Sequence, residues 1–154
     1  MAVFVDGDNV ADKIRSEEIG QKASWISTFP VVREKLLLLQ RQAGESENIV
    51  AEGRDMGSVV FPNADFKFYL DADPEERILR RHRELLEKNI AAQIDEVTRD
   101  MQARDHQDSH RKIAPLKKAD DAIPIDSTSL TPGQVVDEIQ RYVEAGKESG
   151  TGLE

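Results

Sequence analysis

The run FKFYLDADPEERILRR, residues 66–81, constrains the fold most, because it steps from an apolar, aromatic-rich strand directly into a helix start. Asp73 is a cap residue, Pro74 occupies the first helical turn where its missing N–H costs nothing, and Glu76 follows three residues after the cap. Ile78, Leu79, Leu85 and Leu86 then continue at helical spacing. A strand that feeds a helix is half of an α/β unit, and the rest of the chain supplies more of the same.

Residues 3–5 read as a short strand ending at the turn Asp6-Gly7-Asp8. Residues 16–27 read as a helix striped by Ile19, Ala23 and Ile26, with Gly20 weakening it. Pro30 opens a second helix whose Val32, Leu36 and Leu39 run toward Gly44. Residues 48–51 and 66–70 read as mostly buried strands. Ile94, Val97 and Met101 stripe a further helix that enters the polar stretch ARDHQDSHRK and stops at Ala114-Pro115. Residues 122–125 are a strand candidate, and Thr131-Pro132-Gly133-Gln134 repeats the capping box ahead of Val135, Val136, Ile139 and Tyr142. The expectation is an α/β fold around a mainly parallel sheet, without internal repeats.

Composition narrows the partners. The 154 residues carry a net charge of -9, against a nucleic-acid polymer as ligand, since such binding rests on a basic surface. Arginines cluster at Arg77, Arg80, Arg81 and Arg83 and again at Arg99, Arg104 and Arg111, which suits small anions. Cysteine is absent, compatible with a reducing cytoplasm, and no apolar run approaches the roughly 20 residues of a membrane helix. Nothing near the N-terminus resembles a signal peptide, so a soluble, cytoplasmic chain is expected.

The stretch AEGRDMG, residues 51–57, sets Arg54 and Asp55 between two glycines, directly after the apolar run 48–51. In open α/β sheets ligands bind beyond the carboxyl ends of strands, so an exposed Arg-Asp pair there suits a site. An ordinary surface pair in a tight turn is equally open on the residues alone.

Several long motifs in one order also carry a resemblance. KIRSEEIGQKASWISTFPVVRE, EGRDMGSVVFPNADFKFYLDADPEERILRR, RDHQDSHRKIAPL and DAIPIDST together resemble bacterial cytidylate kinases, which are nucleoside monophosphate kinases, over nearly the whole chain. The resemblance implies transfer of the terminal phosphoryl group of ATP, with Mg2+, to CMP or dCMP. It implies a P-loop nucleoside monophosphate kinase-like α/β fold, a mainly parallel sheet flanked by helices and N-terminally truncated. Residues 1–47 would then be part of the CMP-binding insertion and 48–145 the core domain. A lid would lie at about 104–114 and a flexible, polar tail at 146–154, whose last two residues could be a cloning scar.

By resemblance, Ser24, Arg33 and Asp55 contact the base, and Arg54 holds the monophosphate. A carboxylate facing the cytosine amino group and a guanidinium facing the ring acceptors would select cytosine over uracil, and a planar guanidinium fork suits a phosphate. Without the resemblance, Ser24 and Arg33 read as ordinary helix-surface residues. Arg104, Asp108 and Arg111 fall at i, i+4 and i+7, one face of a helix. Charge alone suggests a solvated salt-bridge ladder there, whereas the family uses this segment as a mobile lid. Its arginines clamp phosphates, and Asp108 with Arg104 also reaches the sugar. Gln107 and His110 depart from residues more often arginine and asparagine in relatives. Arg80 is favoured as the arginine near the ATP phosphates. Arg77 and Arg81 read equally as a basic face paired with Glu76 and Glu84. His106 and His110 have zinc-pair spacing but no third ligand, so no metal site is assigned.

The sequence holds no GxxxxGK[ST] run, the Gly-rich loop by which P-loop kinases cradle ATP phosphates. The expectation is therefore a kinase family function with this chain alone inactive. The alternative is a non-catalytic module that binds CMP or a partner protein and completes its sheet through another chain. A monomer is expected, with exposed strand edges as the route to association.

Overall fold

The computed structural model describes residues 2–11, 13–45, 47–110 and 113–148. The chain divides into two units, Met1–Val50 and Ala51–Glu154. Arg111 and most of the 146–154 tail lie outside the described residues.

In the first unit, β1 (Phe4–Val5) and β2 (Asp8–Asn9) pair antiparallel, with Phe4 opposite Asn9 and Val5 opposite Asp8. Asp6 and Gly7 both have positive φ, 52° and 88°, the backbone that a two-residue hairpin turn demands. The expected strand is therefore one arm of a hairpin whose second arm, Asp8–Asn9, is too short and polar to stand out in the sequence. Helix α1 (Glu17–Ile26) is capped by Ser16, whose hydroxyl accepts from Ile19 N. It runs through Gly20, where an added Cβ would meet nothing within 4 Å. Helix α2 (Pro30–Ala43) starts at its proline and ends at Gly44. Trp25 and Phe29 pack edge to face at 4.9 Å across the link between the helices. The apolar stripes exist but stay largely uncovered: Ile26, Leu36 and Leu39 are all exposed.

Residues 48–51, read as a buried strand, are irregular and exposed. No strand lies alongside them among the described residues, and an extended segment without a partner has no ladder to hold it. The chain instead tightens into a π turn at Met56–Val60, in which Val59 N and Val60 N both donate to the Asp55 carbonyl and Phe61 N donates to that of Met56.

The second unit contains the parallel pair expected from the sequence. Strand β3 (Phe68–Asp71) runs beside β4 (Ile123–Asp126) in the register Phe68 to Ile123 through Asp71 to Asp126. Two helices form the crossover: α3 (Pro74–Glu87), capped by Asp73, and α4 (Ile94–His110), which pack together. Strand β3 is half-buried along Phe68 and Tyr69 and exposed at Leu70 and Asp71, less covered than a central strand. Helix α5 (Pro132–Glu148) begins with a complete capping box, Gln134 N donating to Thr131 Oγ1 and Thr131 N to Gln134 Oε1. It runs helical through the first residues of the stretch read as a tail. Phe66 and Phe68, alternate residues on one face, stack with ring centroids 6.5 Å apart, and Phe68 meets Tyr142 at 6.1 Å. Gly146 lies one turn beyond Tyr142, and a Cβ there would sit 2.5 Å from the Phe66 ring. Val60, Ala72, Val97, Ala122 and Ile125 form the buried apolar core.

Candidate active site

The sequence places Arg54 and Asp55 in an exposed turn; the structure corrects this. Asp55 is buried and Arg54 half-buried. The π turn that starts at Asp55 ties the following residues onto its carbonyl and so withdraws it from solvent. A buried carboxylate and a partly buried guanidinium cost free energy unless they are partnered. Arg54 Nε lies 3.2 Å from Asp108 Oδ2, and only 7% of the Asp108 side chain is exposed. The loop after α4 returns to the same residue, Leu116 N donating to the Asp108 carbonyl at 2.8 Å. Two motifs 54 residues apart in the chain thus meet inside one unit.

The segment around Asp108 is helical to His110, so Arg104 and Asp108 do share helical spacing. They do not share an environment, however: Asp108 faces inward and pairs with Arg54, while Arg104 is exposed. The charged ladder expected from composition is therefore split between solvent and interior. His110 Nδ1 lies 2.9 Å from the His106 carbonyl, and the two rings stack at 4.1 Å.

A second network joins α3 to its neighbours. Arg77 Nη2 donates to Asp105 Oδ2 at 2.7 Å rather than to Glu76 or Glu84. Arg80 Nη2 donates to the carbonyls of Ser127 and Thr128 and Nη1 to Ser127 Oγ, while Nε donates to Glu76. Ser127 is buried and donates in turn, through N and Oγ, to the Asp71 carbonyl at the end of β3. The carboxyl ends of both strands are thereby laced together and to α3. Arg81 does pair with Glu84 at 2.9 Å. Hydrogen bonds from Lys88 and then Arg81 hold the Glu84 carboxyl below its usual range. Asp126, at the end of β4, is lowered likewise by hydrogen bonds from the Thr128 hydroxyl and backbone.

Ser24 and Arg33 belong to the first unit, half-buried on α1 and α2. In the second unit an open groove of about 450 Å3 is lined by Ser58, Pro62, Lys67, Lys117 and Asp121, among others, and by none of the predicted site residues. Lys67, one of its lining residues, donates to Asp121 at 2.5 Å and to the Pro62 carbonyl. Sequence reasoning passed over Asp105, Ser127 and Thr128. Their signal lies in position: a carboxylate continuing an apolar helix stripe, and a Ser-Thr pair directly after a strand.

Among the described residues no helix is long and apolar enough to cross a membrane. The family model for cytidylate kinase matches residues 1–145. Curated relatives include the cytidylate kinase of Pasteurella multocida, 42% identical over 142 residues, which is 92% of this chain and 63% of the relative. That of Actinobacillus succinogenes is 42% identical over 144 residues, 93% of this chain and 63% of the relative. That of Nitrosomonas europaea is 43% identical over 147 residues, 95% and 66% respectively. The chain thus spans about two thirds or slightly less of the length of these relatives. A family model that matches residues 1–145, together with this extent of identity, makes the chain a member of the cytidylate kinase family, with its P-loop nucleoside monophosphate kinase-like α/β fold.

Proposed function

We propose that this chain carries the acceptor-nucleotide side of phosphoryl transfer from ATP to CMP or dCMP, giving CDP or dCDP. The observation that carries the reading is the meeting of Arg54 with Asp108 beside buried Asp55. A guanidinium poised between a buried carboxylate and solvent can exchange that carboxylate for a phosphate, which it grips with two parallel N–H groups. Asp55 then accepts from the cytosine amino group. Asp108, with Arg104, takes the sugar hydroxyls. Arg104 and Arg111 clamp the phosphates as the lid, residues of about 104–114, closes, neutralising charge that develops during in-line transfer.

On the donor side, Arg80 is assigned to the ATP phosphates. Its bonds to Glu76, Ser127 and Thr128 leave one Nη1 hydrogen for that contact and fix its direction. The 154 residues contain no GxxxxGK[ST] run, so turnover requires a phosphate cradle supplied from outside them. Among the described residues no group of three His, Asp or Glu side chains is arranged to hold a metal ion. They form no cage for magnesium, which we place with the ATP phosphates, as is usual for that ion.

Calorimetric titration of the chain with CMP and with UMP tests the reading. CMP binding at least about tenfold tighter than UMP is expected, a difference of one well-placed polar contact. Equal affinities, or none, refute it. A second reading, a non-catalytic binding module that completes its sheet through another chain, draws on the two-stranded β3–β4 sheet, in which each strand has one unpaired edge among the described residues. Measurable turnover by the chain alone would exclude it.

A further inference from the structure

The inward face of α4 changes character along its length. Val97, Thr98, Met101, Asp105 and Asp108 are the residues of this helix that are buried or half-buried, and every other described position on it is exposed. Their spacing is that of one continuous stripe. Its first half is largely apolar, as a helix packed on a core should be. Its last two turns present carboxylates instead, and a carboxylate facing inward is unfavourable unless a cation meets it. Each one is met from a different segment: Asp105 by Arg77 of α3 at 2.7 Å and Asp108 by Arg54 at 3.2 Å. Arg77 Nε is buried without a hydrogen-bond partner, so this guanidinium has given up solvent on one edge to reach Asp105 with the other.

We propose that Arg77 and Asp105 are positioning residues, a clasp that sets the end of α4 against α3 so that Asp108 arrives at Arg54 in register. Asp105 and Asp108 lie three residues apart on one face, so fixing the first fixes the rotation and height of the second. Arg80, one turn on from Arg77, holds the Ser127–Thr128 turn in the same way, so α3 serves as the common rail for both parts. Neither clasp residue is assigned a contact with the nucleotide. The consequence for binding rests on the acceptor-site reading above; the clasp itself does not.

The test uses the full chain with Asp105→Asn, Arg77→Met and the reversed pair Arg77→Asp with Asp105→Arg. Three quantities are read: CMP affinity by calorimetry, amide hydrogen exchange along α4, and the thermal midpoint. Each single variant should weaken CMP binding about tenfold, the scale of coupling between residues in one network. Each should also speed exchange in the last two turns of α4 while moving the midpoint by no more than about 3 °C. The reversed pair should recover most of the affinity and the protection, which a general loss of packing would not allow. Single variants with the parent's affinity and exchange would overturn the proposal, as would a reversed pair no better than the two singles combined. Should the parent chain ignore CMP, the acceptor-site reading fails, and exchange alone decides the clasp. Faster exchange in the singles with recovery in the reversed pair supports it, and unchanged exchange refutes it.

Discussion

No described residue of Met1–Val50 is buried, whereas Asp55, Val60, Ala72, Val97, Asp108, Ala122, Ile125 and Ser127 all are, and all belong to Ala51–Glu154. The first unit is held by local devices: a two-residue hairpin, a serine cap, a proline start and a glycine stop. The second is held by contacts that join distant parts of the chain, such as Arg54 with Asp108 and Lys67 with Asp121. Local devices define elements without packing them, because most helical stability comes from burying an apolar face. A site that needs fixed geometry is therefore better served by the second unit.

Core truncation should separate the units most. Ile125, 4% exposed, should cost about 2–5 kcal/mol when changed to Ala, while Leu38→Ala, at 56% exposure, should cost within about 0.5 kcal/mol. Urea unfolding followed by circular dichroism measures both. The sole tryptophan, Trp25, lies in the first unit, so its fluorescence should change at lower urea than the dichroism. Coincident transitions would dissolve the distinction.

Two glycines give the next contrast. Gly146→Ala puts a methyl group 2.5 Å from the Phe66 ring, whose displacement from its stack on Phe68 should cost roughly 1–3 kcal/mol and outweigh the gain in helix propensity. Gly20→Ala meets nothing within 4 Å and should stabilise by roughly 0.5–1 kcal/mol. Thermal midpoints that move in the same direction for both would show that the Phe66 contact is not made.

These contrasts also mark what the sequence could tell. Helix starts were legible at Ser16, Asp73 and Thr131 because a cap is written within four residues, and at Pro30 because proline suits a first helical turn. Residues 48–51 misled because an apolar run becomes a strand only when another strand lies beside it, and that depends on the rest of the sheet. The pairings of Arg54 with Asp108, Arg77 with Asp105 and Arg80 with Ser127 were equally hidden, since each is decided by a segment between 28 and 54 residues away. The motif identified which residues to watch; only the fold told which way Asp108 faces.

The smallest expected effect is on pH. Glu84, Asp121 and Asp126 all have carboxyls lowered by hydrogen bonds, from Lys88, Lys67 and Thr128 respectively in the first place. A lowered folded-state pKa stabilises the protein above the unfolded value and loses that contribution as pH falls through the folded one. The thermal midpoint should therefore fall as the pH drops below about 4.5, through the range where carboxylates protonate. Asp126→Asn should flatten part of that fall, and an unchanged slope would remove Asp126 from the explanation.

Arg54, beside buried Asp55 and paired with Asp108, is the group proposed to receive the nucleotide phosphate. Calorimetric titration with CMP and with cytidine, on the parent chain and on Arg54→Met, addresses it directly. The parent should prefer CMP by about tenfold or more, the worth of a charged hydrogen bond, and Arg54→Met should bind the two alike. A CMP preference that survives in Arg54→Met, or is missing from the parent, would contradict it.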